Sequence, residues 1–221
     1  MTIADPERAL ALRYAPGVAR PALTALWSLD EALGAILRSG RDPMVSQLRL
    51  TWWHEALCRL DHAPPPLQPV LQAIAGDLIP RGVTGRSLAA MIDGWEKLLD
   101  PDPIDDTALA DYAVARGGQL FAMAGAVIGD GDAPWAVAGE GWALVDLARY
   151  CGDPVLAVSA LRVARPLLDE AVARQWRPAS RAIGMLAHLA AIDARVAALP
   201  LPLQGSPMRQ LRMITHRITG R

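Results

Sequence analysis

Asp30, Arg49, Asp146 and Arg149 are the residues of this sequence best placed to do chemistry. Each falls among apolar side chains at helical spacing rather than on a polar face. In the stretch after Pro21, Ala22, Leu26, Leu29, Leu33, Ile36 and Leu37 make one apolar face, and Asp30 lies within it. In "DPMVSQLRLTWWHEAL" (Asp42–Leu57), Met44, Val45, Leu48, Trp52, Trp53, Ala56, Leu57 and Leu60 cover more than half the helix circumference, and Arg49 sits near the middle of that arc. An uncompensated buried charge costs several kcal/mol, so Arg49 is expected to be paired or to face a water-filled cavity, with Asp30 as its partner. In "WAVAGEGWALVDLARYCGDP" (Trp135–Pro154), Asp146 and Arg149 share a face with Trp135, Ala138, Trp142 and Val145, and their spacing of three lets them touch. These groups describe either a central cavity lined by acids and arginines or a core with structural ion pairs. Periodicity alone favours the second.

The elements that must position these residues are all helical. No segment alternates apolar and polar residues in the manner of a strand. Pro/Gly/Asp clusters divide helical patterns at about 6–13, 20–39, 43–61, 67–78, 84–99, 106–128, 134–151, 154–174, 178–198 and 207–218. The expected fold class is all-α, a single-domain helical bundle over residues 1–200. Residues 201–221 read as a linker ("LPLPLQGSP", Leu199–Pro207) and a short basic C-terminal helix. That tail docks on the bundle or lies on a membrane surface or a partner.

Composition bounds the function. The 221 residues are enough for one sizeable core, and a net charge of −1 gives no electrostatic basis for nucleic-acid binding. Cys58 and Cys151, distant in sequence and without a CxxC spacing, read as buried reduced thiols of a cytoplasmic protein. The N-terminus lacks the basic start and apolar stretch of a secretory signal. No apolar run reaches the ~18 residues of a membrane span. There is no phosphate-binding glycine loop, HExxH or GxSxG. "GDGDAPW" opens like a calcium loop but lacks the distal glutamate spacing, and reads as a turn. His54, His62, His188 and His216 do not cluster in sequence, and Tyr14 and Tyr112 read as core or rim residues.

Several stretches together resemble the squalene/phytoene synthase family over roughly residues 8–155. "RYAPGVARPALTALWSLDEAL" is similar to the family's opening helix pair, and "DPMVSQLRLTWWHEAL" to its "RLqWWreeL" element, the most specific match. "PPPLQPVLQAI" and "YAVARGGQLFAMAGAVIG" resemble the elements that follow, and "WALVDLARYCGDP" sits where a second acidic motif belongs. The resemblance implies an all-α bundle of the isoprenoid synthase type around a central cavity. In active members, aspartate-rich motifs on facing helices hold Mg²⁺, which neutralises the diphosphates of two prenyl substrates condensed head to head. It adds Arg20 and Tyr112 to the cavity candidates.

The sequence departs from that pattern where the metal ligands belong. Gly34, Ala35 and Arg38 stand at the first acidic motif, with Asp30 and Glu31 a turn earlier. In the second motif Asp146 replaces an asparagine, Tyr150 replaces the first aspartate, and Pro154 stands near the second with Asp153 beside it. The depletion is similar to a divergent branch of the family, the respiratory complex I assembly factor type. Two readings follow from the resemblance. One is a catalytically deficient protein that acts as an assembly or interaction factor or holds a prenyl lipid, with no cofactor. The other is an active Mg²⁺-dependent prenyl transferase using Asp30, Glu31, Asp146 and Asp153 as a minimal metal set. The implied partners are a prenyl diphosphate or apolar lipid, or another protein, with at most peripheral membrane contact.

Overall fold

Asp-Pro dipeptides start three of the helices. The proline fixes the first-turn backbone, and the preceding carboxylate accepts from orphan amides. Asp5 Oδ1 accepts from Glu7 N at 2.8 Å, Asp42 Oδ1 from Met44 N at 2.9 Å, and Asp153 Oδ1 from Val155 N at 2.8 Å. In this computed structural model, which describes residues 3–40, 42–100, 102–196 and 199–220, the helices are α1 (Pro6–Tyr14), α2 (Arg20–Ser39), α3 (Pro43–Arg59), α4 (Pro69–Ala73), α5 (Gly85–Ala89), α6 (Met91–Lys97), α7 (Asp106–Tyr112), α8 (Gln119–Ile128), α9 (Trp135–Tyr150), α10 (Pro154–Ala173), α11 (Arg181–Asp193) and α12 (Pro207–Thr219). Two π-helical turns, Ile74–Leu78 after α4 and Ala113–Gly118 between α7 and α8, widen otherwise continuous helices. No strand occurs among the described residues. The expected helix over 178–198 starts at Arg181 and ends at Asp193; residues 197 and 198 lie outside the described residues.

Helix α9 is the axis of the bundle. It packs against α8, α10, α11 and the π turn that carries Arg116, while α2 packs against α1, α3, α4, α6 and α8. A Cβ on Gly117 would meet Gly139 O at 2.0 Å, so the π turn and α9 touch backbone to backbone there. Leu23, Leu26, Trp27, Leu29, Leu33, Phe121, Leu144 and Trp176 fill the core.

Helix α3 differs from the expectation. Leu50, Trp53, Ala56, Leu57 and Leu60 are buried, but Met44, Val45, Leu48 and Trp52 are exposed. Its neighbours α2, α5 and α6 cover one side of the broad apolar arc and leave the other in solvent. Cys58 and Cys151 are free and half-buried rather than fully buried.

Candidate functional site

Two carboxylates and two guanidiniums meet in the interior. Asp30 on α2 and Asp146 on α9 face each other, and Arg8 from α1 and Arg116 from the π turn bridge them. Arg8 Nη1 donates to Asp30 Oδ2 at 3.2 Å, and Arg8 Nη2 to Asp146 Oδ1 at 2.7 Å. Arg116 Nε donates to Asp30 Oδ1 at 2.8 Å, and its Nη2 to Asp30 Oδ2 at 2.8 Å and Asp146 Oδ2 at 2.7 Å. Asp30 and Arg116 are each 1% exposed, so this is a desolvated cluster.

Local structure explains how the side chains arrive. Arg116 is the one charged residue between Asp111 and Asp130, placed four residues after Tyr112. Its Nη1 donates to Tyr112 Oη, which in turn donates to Ala143 O at 3.4 Å. Its guanidinium lies 4.0 Å from the Trp95 ring centroid and 5.1 Å from that of Trp142, so the faces of the ion rest on aromatic rings while its edge donates to carboxylates. Arg8 also sits over Trp142, at 4.9 Å.

The charges hold one another ionised. Burial pushes the Asp146 carboxyl up, but Arg8 and Arg116 outweigh it and bring it down to about 2. Burial opposes the charge on both arginines. Asp146 and Asp30 raise Arg8 above the ordinary arginine value, and Asp30, Tyr112 and Asp146 do so for Arg116. Burial raises the Tyr112 hydroxyl, against the pull of Arg116.

This donor set does not fit Mg²⁺. All four oxygens of Asp30 and Asp146 accept from a guanidinium, and Arg8 also pairs with the buried Asp5 at 3.6 Å. A divalent cation there would have to displace arginines anchored by aromatic faces. Glu31 is turned elsewhere: Oε2 accepts from Ala4 N at 3.1 Å and Oε1 from Asp5 N at 3.3 Å. Asp153 caps α10. Among the described residues no group of three or more His, Cys, Asp or Glu could hold a metal ion.

The other candidates lie apart. Arg49 is exposed on the outer side of α3, and Asp30 takes Arg8 and Arg116 instead. The apolar arc that suggested burial is only half covered. Arg149 does not pair with Asp146, whose oxygens are already taken. It reaches towards α11, with Nη2 on Asp193 Oδ2 and Nη1 on Pro202 O, both at 2.6 Å. Arg20 is exposed and donates to Ala15 O at 3.1 Å. "GDGDAPW" is a turn whose Asp130 accepts from Asp132 N at 3.0 Å.

A second buried network adjoins the first. Arg209 of α12 donates from Nε to Glu7 Oε1 at 2.5 Å and from Nη2 to Glu7 Oε2 at 2.9 Å. It also donates from Nη1 and Nη2 to the two Asp193 oxygens, at 2.5 and 2.9 Å. Arg8, Arg116, Glu7, Asp193 and Arg209 were not among the residues singled out from sequence. Arg116 carries the strongest overlooked signal, a solitary charge in an eighteen-residue run of otherwise uncharged side chains from Tyr112 to Gly129.

Beside Arg116 and Asp146 lies a cavity of about 230 Å³, walled by Leu37, Trp95, Leu98, Ile104, Leu147 and Leu156. Arg38 and Tyr150 stand at this cavity, with the Arg38 guanidinium 5.4 Å from the Tyr150 ring centroid. Both are exposed. Trp95 Nε1 is buried with no hydrogen-bond partner among the described residues.

An all-α bundle with charged groups at the centre and an apolar cavity beside them defines the structural class. The sequence profile of squalene/phytoene synthase matches residues 2–157, and the chain belongs to that family. No curated protein matches it. Among solved structures it is similar to a dehydrosqualene synthase crystallised with a ligand, at a TM-score of 0.75 and 14% identity, covering 96% of this chain and 90% of that one. The likeness gives the isoprenoid synthase fold.

Proposed function

We propose that this chain is a catalytically deficient member of the squalene/phytoene synthase family, which holds an apolar isoprenoid-type chain without ionising a diphosphate. The observation that carries this reading is the double bridge of Arg8 and Arg116 across Asp30 and Asp146. Diphosphate departure needs a cation to receive its charge, and the facing acids that would hold one are neutralised by the chain itself. The cavity supports ligand binding over a purely structural role. Its walls are mostly apolar, with Leu37, Leu98, Ile104, Leu147 and Leu156 facing it beside the charged cluster. An assembly role of the complex I factor type is compatible with the same loss of acids, and apolar-ligand binding is the part the geometry favours. The active-transferase reading, with Mg²⁺ on Asp30, Glu31, Asp146 and Asp153, would require all four carboxylates to leave their present partners.

The test is ligand-dependent stabilisation. Farnesol or geranylgeraniol in excess is expected to raise the melting temperature without Mg²⁺, by linkage to the folded state. Leu156→Trp, which narrows the cavity, is expected to reduce the effect. No shift with either alcohol, or an equal shift in the variant, rejects the binding reading.

A further inference from the structure

We propose that the outer face of α12 is a docking surface for an anionic lipid bilayer. Met208, Leu211 and Ile218 are 60%, 57% and 71% exposed, and they line one side of the helix over ~15 Å of its length. The helix cannot rotate to bury them. Its opposite side is fixed by Arg209, clamped between Glu7 and Asp193, and by Met213 and His216, both buried against the bundle.

Charge selects the partner. After Asp193 the sequence contains no acidic residue, while it adds Arg195, Arg209, Arg212, Arg217 and Arg221. Arg209 is neutralised internally, and Arg195 pairs with Asp169. Arg212 is exposed beside the apolar stripe, with no carboxylate paired to it among the described residues. At the helix C-terminus Arg181 Nη1 donates to Ile218 O at 2.6 Å and its Nε to Trp176 O at 3.0 Å, which fixes the end of α12 on the bundle. An apolar stripe beside an exposed unpaired arginine, on a segment with no acidic residue after Asp193, suits an interface of acyl chains and anionic headgroups. No helix among the described residues is long and apolar enough to cross a membrane, so the contact is a surface one.

Vesicle flotation of the full chain tests this. Binding is expected to vesicles of phosphatidylcholine mixed with phosphatidylglycerol, and to be much weaker with phosphatidylcholine alone. It is expected to fall when salt is raised from about 0.05 to about 0.5 M. Leu211→Gln with Ile218→Gln should weaken binding more than tenfold, and Arg212→Gln about fivefold. These side chains are exposed, so the far-ultraviolet circular dichroism should stay unchanged. Absence of flotation, equal binding to both vesicle types, or undiminished binding of the variants overturns the proposal. A dimer in solution that the double glutamine variant dissolves, without flotation, assigns the stripe to a second copy of the chain instead.

Discussion

Glu7 and Arg8 are consecutive residues of α1, and each belongs to a different buried ion network. Arg8 bridges Asp30 and Asp146 in the centre of the bundle, while Glu7 receives Arg209 from the last helix. One short helix therefore ties the C-terminal segment to the central acids. Gln204 and Gly205 reinforce the link, donating to Asp5 Oδ2 and to Glu7 Oε1.

Removing one partner of a buried network leaves the other charges uncompensated. Arg116→Ala is expected to destabilise the fold by about 3–5 kcal/mol in urea denaturation. Combining Arg116→Met with Asp30→Asn should cost less than the sum of the two single changes. Additive costs would show that the two residues do not interact.

The Asp146 carboxyl, held at about 2 in the fold, gives a signed pH dependence. Its folded value is depressed, so its stabilising contribution is complete above the unfolded value near ~3.9. It is lost as pH falls from there towards 2. The contribution is about 3 kcal/mol. Asp146→Asn should therefore flatten the fall of unfolding free energy between about pH 4 and 2, measured by denaturant titration at each pH. An unchanged slope would remove Asp146 from the acid response.

His188 stacks on His216 with ring centroids 3.6 Å apart, joining α11 to α12. Burial lowers the His188 value below the ordinary one, against the Gly184 carbonyl that raises it. A depressed histidine stabilises the fold above its unfolded value near ~6.5 and loses that contribution as pH drops. Amide exchange in α12, corrected for intrinsic rates, is expected to accelerate at about pH 5 relative to about pH 8. His188→Gln should reduce the difference.

The contact of Gly117 with Gly139 sets where Arg116 meets Asp146. Gly117→Ala places a methyl 2.0 Å from a backbone carbonyl, and is expected to cost at least about 2 kcal/mol by overpacking. A near-neutral variant would show that α9 and the π turn can separate freely.

Much of the architecture was legible because the signals were local. Asp-Pro starts and Gly/Pro stops mark helices within a few residues, and the family-like stretches lie on α2, α3, α4, α8 and α9. Asp30 and Asp146 were recognisable as charges inside apolar faces. Their partners were not, because ion pairing depends on how helices far apart in sequence are assembled. Arg8 lies on a short helix with little apolar periodicity, and Arg116 sits on a π turn that shifts its register. Arg49 misled for the opposite reason. An apolar arc implies burial, yet nothing in a single sequence tells which part of an arc has a neighbour.

On the function proposed above, Arg8 and Arg116 stand at the facing acids in place of a metal. The most direct measurement is inorganic diphosphate release from farnesyl or geranylgeranyl diphosphate with Mg²⁺. Release is expected to be no faster than in the protein-free control. Mg²⁺-dependent release that disappears in Asp146→Asn would contradict that function.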